Sequence, residues 1–296
     1  MTNVAMKTDF LASEVEILVH WITERDAVRL RKERGLPKPW TTDPLLRDYR
    51  WCNVRRMDDR VSVALMSNWY PLSGKPETQL VAAVLARLVN WPASLDDITG
   101  PQRFDMAHLS RARAKLGHRA SMGYKVFTGA YVVPGVPGRN KVDSVCDLAE
   151  LVASRAGGIL AGSMAATWAN LVKIDGLGSF LAGQMVADLA HLSAGEQWQD
   201  AATWAPLGPG SARGMNRLMG RPKEKAISQA QFDVELPALI GVLKPLIAGI
   251  WEDRGLHAMD IQNALCEYDK SRRLTLGEGQ VRSRYDGAGE PQMGLL

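Results

Sequence analysis

From Glu14 to Arg34 the apolar residues Val15, Leu18, Val19, Ile22 and Leu30 recur at helical spacing, and Gly35 and Pro37 end the run, which predicts a first helix. Lys38 to Tyr49 reads as a loop. A second amphipathic stretch runs from about Val54 to Trp69, with Val61, Leu65 and Trp69 in register, and a third from Glu77 to Asn90 carries Leu80, Val81, Val84, Leu85 and Leu88. Lys125 to Val133 (KVFTGAYVV) is aromatic and β-branched, the pattern of a short strand or hairpin arm, closed by the Pro134–Gly138 cluster. Helical patterns then return over Asp143–Ala156, Ala165–Val172, Phe180–Leu192, Ala212–Met219, Ile227–Ile250 and Met259–Lys270. Beyond Ser271 the chain is polar and glycine-rich with Arg272, Arg273, Arg282 and Arg284, which reads as a flexible basic tail over 271–296. The expected fold is mainly α: a single helical domain over 1–270, compatible with two lobes, with a short β hairpin or irregular insertion.

Composition narrows the class. With 296 residues, 46% of them hydrophobic and 23% charged, the chain has ample apolar surface for a core. The net charge of +4 suits a polyanionic partner without carrying that conclusion alone. The basic end of the first helix, Arg29, Arg31, Lys32 and Arg34, complements the helix dipole and is equally available to phosphates. Cys52, Cys146 and Cys266 have neither a disulfide nor a zinc spacing, and His20, His108, His118, His191 and His257 have no metal spacing, so no protein-bound metal is expected. The start of the chain lacks the basic and apolar regions of a secretory signal, and no apolar run is long enough for a membrane span, which points to a soluble cytoplasmic protein with no membrane partner.

The most informative string is KIDGLGSFLA, Lys173 to Ala182, between two helical segments. Glycines at 176 and 178 permit a tight turn and a close backbone approach to a phosphate at the start of the next helix, the form of a helix-hairpin-helix turn (near 165–192) with Gly176, Leu177, Gly178 and Ser179 on the DNA backbone. GPGSARGMNRLMG follows from Gly208 to Gly220. In helix-hairpin-helix DNA glycosylases an aspartate precedes a similar Arg-x-x-Asn-Arg-Leu; here Arg213, Asn216, Arg217 and Leu218 match it, while the aspartate position falls near Gly208. That departure argues against base excision, with Asp188 and Asp200 as the substitute carboxylates.

Further strings complete the pattern: PWTTDP (Pro39 to Pro44), CNVRRMDD (Cys52 to Asp59) and RARAKLGHR (Arg111 to Arg119). Together with KVFTGAYVV, GLGSFLAGQMVADL and LGPGSARGMNRL, in this order over roughly 15–270, they resemble the helical domain shared by phage 5-hydroxymethyluracil DNA kinases and the α-glutamyl/putrescinyl thymine pyrophosphorylases, the amino acid:DNA transferases. The resemblance implies a glycosylase-like fold acting on double-stranded phage DNA in the host cytoplasm. It implies that the pyrophosphate of an activated hydroxymethyluracil is replaced by the nitrogen of an amino acid or polyamine. The chain contains no GxxxxGK[ST], so the transferase branch fits better than the kinase.

Such chemistry requires a base turned out of the helix, an amide for the uracil edge and an aromatic platform. Asn53 with Trp40 or Trp51 meets that need. Cations must stabilise the departing pyrophosphate: Arg55 and Arg56 are the first candidates, with Lys141, Arg213 and Asn216 as further substrate contacts. The ammonium of the donor must lose a proton, for which Asp58 or Asp59 is placed. No cofactor is expected, although Mg²⁺ can accompany pyrophosphate. Direct substitution and elimination followed by addition remain open, as do two other readings: a non-catalytic DNA-binding module and a glycosylase.

Overall fold

The computed structural model describes residues 9–128 and 138–279. Thirteen α-helices lie among them. The first six are α1 (Ala12–Glu33), α2 (Pro44–Asp48), α3 (Arg60–Ala64), α4 (Pro76–Val89), α5 (Pro92–Thr99) and α6 (Met106–Ser121). The remainder are α7 (Lys141–Ile159), α8 (Met164–Val172), α9 (Ser179–Leu189), α10 (Pro209–Leu218), α11 (Gln229–Leu246), α12 (Ala248–Arg254) and α13 (Ala258–Thr275). No strand occurs among the described residues. The described residues divide into two compact units, the first formed by 9–58 together with 202–279, the second by those within Asp59–Ala201.

In the first unit α1 buries Val15, Leu18, Trp21 and Ile22 against α10, α11 and α13. The contact of α10 with α13 explains the glycines of the GPGSARG string. A Cβ added at Gly214 would stand 2.4 Å from the Leu265 carbonyl oxygen, and one at Gly210 would meet Cys266 Sγ at 3.0 Å, so only glycine lets the helices approach this closely. The α11 and α12 axes are bent by 100° to one another.

In the second unit α4 is buried from Gln79 to Val89, with Leu80, Val84, Leu85 and Leu88 fully enclosed. A helix that is apolar all round belongs in the centre, and α7 and α9 pack on it. Each enclosed leucine contributes about 1.5–3 kcal/mol relative to exposure. Two polar side chains of α4 are buried only because they are fully engaged. Gln79 donates to the Pro71 carbonyl and Ser193 Oγ and accepts from the Ala194 amide. Arg87 closes on Asp188 of α9, Nε to Oδ2 at 2.5 Å and Nη2 to Oδ1 at 2.6 Å.

Three expectations are corrected. The strand or hairpin arm over Lys125–Val133 is irregular chain through Thr128, with the Val126 carbonyl accepting from Ser94 Oγ and the Thr128 amide donating to the Val89 carbonyl; 129–137 lie outside the described residues. The loop over Lys38–Tyr49 contains α2, started by Asp43 as N-cap and Pro44 as first residue. The helix expected to end at Lys270 continues to Thr275, because Arg272 and Arg273 find Glu14 and Asp269, so these two arginines belong to α13 and not to a tail.

Candidate active site

The residues Cys52 to Asp58 of the CNVRRMDD string gather in the first unit with α1 and the α12–α13 connection, where Arg55 and Asp58 both meet opposite charges. Arg55 is buried; Nη1 lies 3.3 Å from Asp26 Oδ1 and Nη2 3.3 Å from Asp253 Oδ2, and the group donates to the carbonyls of Ile250 and Gly255. Asp58, its side chain 5% exposed, accepts from Arg254 at 2.8 and 3.0 Å and lies 3.1 Å from Arg29 Nε. Arg29 also pairs with Asp26 at 2.9 Å and Glu33 at 2.7 Å. The Asn53 amide is spanned by protein, Oδ1 accepting from Arg25 at 2.5 Å and Nδ2 donating to the Asp58 carbonyl. The Arg56 amide donates to Asp260 Oδ1. Burial raises the Asp260 carboxyl above its ordinary value, although the Arg56 and His257 amides work against that shift. This cluster ties the unit together and leaves little of Arg55 or Asp58 for a ligand.

Beside it, α1 and the PWTTDP segment form an open cleft of about 520 Å³, walled by His20, Glu24 and Arg31 on one side and by Pro39, Trp40, Thr41, Thr42, Asp43 and Pro44 on the other. The volume is in the range of small-molecule sites. Internal bonds fix the walls. Arg31 donates to Glu24 Oε1 at 2.7 Å and to the Trp40 carbonyl at 2.6 Å, and the Trp40 indole donates to the Leu36 carbonyl at 2.7 Å. Burial favours the neutral form of Glu24, but the hydrogen bonds from Arg31 and Thr41 outweigh it and lower this carboxyl below its ordinary value. Trp40 is half-buried, with the Lys32 and Lys38 ammonium groups 5.7 and 5.1 Å from its ring centroid. Asp43 uses Oδ1 on the amides of Leu45 and Leu46 and Oδ2 on His20 Nε2, 3.0 Å away.

The other candidates are dispersed. Trp51 is buried, donating to the Leu45 carbonyl and meeting Trp21 edge to face, so of the two tryptophans only Trp40 lines a cleft. Arg213 and Arg217 share the buried Asp269 at 2.8 and 3.0 Å. Asn216 donates to the carbonyls of Lys223 and Lys225, and its buried Oδ1 has no hydrogen-bond partner among the described residues. Asp59, Lys141 and the Gly176–Ser179 turn belong to the second unit. Asp59 is the residue before α3. Lys141 opens α7 with its ammonium 4.5 Å from the Phe127 ring, and burial lowers its basicity.

Between α8 and α9, Gly176 takes φ +91°, Leu177 is buried, and Gly178 precedes α9, whose first turn has no side-chain cap. Asp188 is fully buried and also accepts from Tyr70 Oη at 2.5 Å, while Asp200 caps α8 by accepting from the Met164 and Ala165 amides at 2.9 Å each. Both carboxylates considered for glycosidic chemistry hold helices in place. No single helix among the described residues is long and apolar enough to cross a membrane.

Residues 13–280 match the model of the 5-hmdU DNA kinase helical domain. The chain belongs to that family. A 5-hmdU DNA kinase of Bacillus phage SP10 is 26% identical over 220 residues, which cover 66% of this chain and 34% of the relative. The chain thus spans about a third of the length of that relative. No solved structure matches.

The sequence reading missed His20 and Glu24 as site residues and named Arg31 only as part of a basic helix end available to phosphates. Their signal was a polar stripe at i, i+4 and i+11 on an otherwise core-facing helix, and the Asp43-Pro44 pair is a helix-start signature that fixes the opposite wall.

Proposed function

We propose that the chain is an amine:DNA transferase of thymine hypermodification: it takes DNA carrying pyrophosphorylated 5-hydroxymethyluracil and replaces the pyrophosphate by the nitrogen of an amino acid or polyamine. The observation that supports this reading most is the PWTTDP cleft. One of the strings that carry the resemblance to the transferases forms, with α1, a space sized for a nucleobase and bounded by a half-buried tryptophan.

In this reading the modified base leaves the duplex and stacks on Trp40. Lys32 and Lys38 over that ring, with Arg31 at the Trp40 carbonyl, stabilise the negative charge that grows on the departing pyrophosphate. Arg55, Asp58 and Asn53 hold the neighbouring scaffold. The turn between α8 and α9 grips the DNA backbone through the uncapped amides at the start of α9.

The test is nucleoside mass spectrometry after incubation of the purified protein with hydroxymethyluracil DNA, the matching kinases, ATP, and a pool of amino acids and polyamines. A thymidine derivative of added amine mass supports the transferase and identifies the donor. Unchanged pyrophosphorylated nucleoside favours a DNA-binding module, and released base favours a glycosylase.

A further inference from the structure

An amine donor arrives as an ammonium ion, and its nitrogen cannot attack carbon until a proton has gone, so the cleft needs a proton acceptor in addition to its cations. The carboxylates near the cleft are poor choices. Asp58 is enclosed by Arg29 and Arg254, and Glu24 is held ionised by Arg31 and Thr41, which weakens it as a base. His20 differs. It lines the cleft, its side chain is 62% exposed, and Nε2 faces Asp43 Oδ2 at 3.0 Å.

Asp43 is fixed independently of the histidine. Its Oδ1 accepts from the Leu45 and Leu46 amides at 2.8 and 3.1 Å, and its own amide donates to Thr41 Oγ1 at 3.0 Å. The amides at the start of α2 thus orient the carboxylate, which presents its second oxygen to the ring. With the Nε2 proton directed at Asp43, Nδ1 keeps its lone pair, and among the described residues Nδ1 makes no hydrogen bond. The other charges close to His20 are Glu24, one turn further along α1, and Arg31, which Glu24 engages. An exposed hydrogen bond of this kind contributes no more than about 1 kcal/mol to folding, so stability is a weak reason for so ordered an arrangement.

We infer that His20 is the proton acceptor of the cleft and that Asp43 is its positioning residue, an inference that rests on the transferase reading above. The ammonium gives one proton to His20 Nδ1, and the neutral nitrogen forms a bond to the methylene carbon on C5. The C–O bond to pyrophosphate breaks with its electron pair leaving on the pyrophosphate oxygen, and the second nitrogen proton passes to solvent. The role is the same whether the C–O bond breaks before or during C–N bond formation.

The experiment measures amine transfer to pyrophosphorylated hydroxymethyluracil DNA by the wild type, His20→Ala, Asp43→Asn and Asp43→Ala, with the same amino acid and polyamine pool. His20→Ala is expected to lower kcat by about 100-fold or more, with KM for DNA within about threefold, and added imidazole is expected to restore part of the rate. Asp43→Asn keeps the α2 cap, because asparagine caps as well as aspartate; it is expected to keep the wild-type melting temperature but lose turnover, whereas Asp43→Ala loses both. A His20→Ala protein with unchanged kcat, or one whose lost rate imidazole leaves untouched, overturns the assignment while the transferase reading stands. A wild type that makes no amine adduct overturns the transferase reading and this assignment with it.

Discussion

Asp58 accepts Arg254 across both carboxylate oxygens, at 2.8 and 3.0 Å, while Arg29 Nε stands 3.1 Å from one of them. In the sequence this aspartate looks like a general base beside a pair of arginines. In the fold it is the anion that joins α1 to the end of α12.

The first prediction follows from that relationship. Asp58→Asn removes the charge between two guanidinium groups, one of them, Arg29, with a side chain only 8% exposed. Arg29 keeps Asp26 and Glu33 and Arg254 keeps Asp253, so the loss is that of charge-assisted hydrogen bonds, about 1.5–3 kcal/mol. Thermal and urea denaturation should register this loss, and any decline in activity should follow the folded fraction. A variant of wild-type stability that has lost turnover would restore Asp58 to the chemistry.

A second prediction separates two glycines of one turn. Gly176 has φ +91°, a conformation L side chains rarely adopt, so Gly176→Ala strains the connection and lowers stability by about 1 kcal/mol. Gly178 has an ordinary φ of −72° and nothing within 4 Å of an added Cβ. Gly178→Ala is therefore expected to fold with a loss of about 0.5 kcal/mol, the cost of alanine at an N-cap. If the reason for glycine there is the approach of a DNA phosphate, titration of the variant with duplex DNA will show weaker binding than the wild type. Equal affinity would remove this turn from the DNA contact.

A third concerns acid. Hydrogen bonds from Arg217 and Lys223 hold the Glu278 carboxyl at about 2 against an ordinary 4.5. A depressed carboxylate contributes stability that is fully present above about pH 4.5 and disappears as pH falls through about 2. Carboxyl NMR titration of Glu278 should give that low midpoint. In Glu278→Gln the loss of stability between these pH values should be shallower, with the difference diminishing in high salt because the pair is open to solvent. A midpoint near 4.5 would show that the two cations do not hold Glu278 in solution.

Much of the helical framework was legible because long amphipathic runs announce themselves. The apolar spacing of α1, α4 and α7 is visible in the sequence, and the nearly continuous apolar run of α4 already marks a central helix. Short elements were not legible to the same degree. The five residues of α2 carry too little periodicity to be seen, although Asp43-Pro44 names their start. The aromatic, β-branched character of Lys125–Thr128 suggests a strand, but backbone pairing needs a partner strand that the described residues lack.

The site was harder. Charged strings such as RRMDD look solvated when read locally, and only the return of the chain some 200 residues later, with Arg254 and Asp260, turns them inward. His20 and Asp43 are 23 residues apart, a relationship no local spacing expresses. Trp40 and Trp51 were named together in the sequence, whereas only packing separates them: Trp40 lines the cleft and Trp51 is buried under the Lys270 ammonium at 4.3 Å.

α1 carries two polar stripes with different duties: Asp26, Arg29 and Glu33 enter the ion-pair cluster, and His20, Glu24 and Arg31 face the cleft. Successive residues of a helix are rotated by about 100°, so the angle between the stripes is set by the backbone and cannot be adjusted separately. A roll of α1 that disengages Arg29 from Asp58 swings His20 away from Asp43 in the same motion. The cluster thus acts as an alignment pin for the cleft, and a variant that misaligns the cleft could be rescued by a compensating change among the pinning charges, without contact with any ligand.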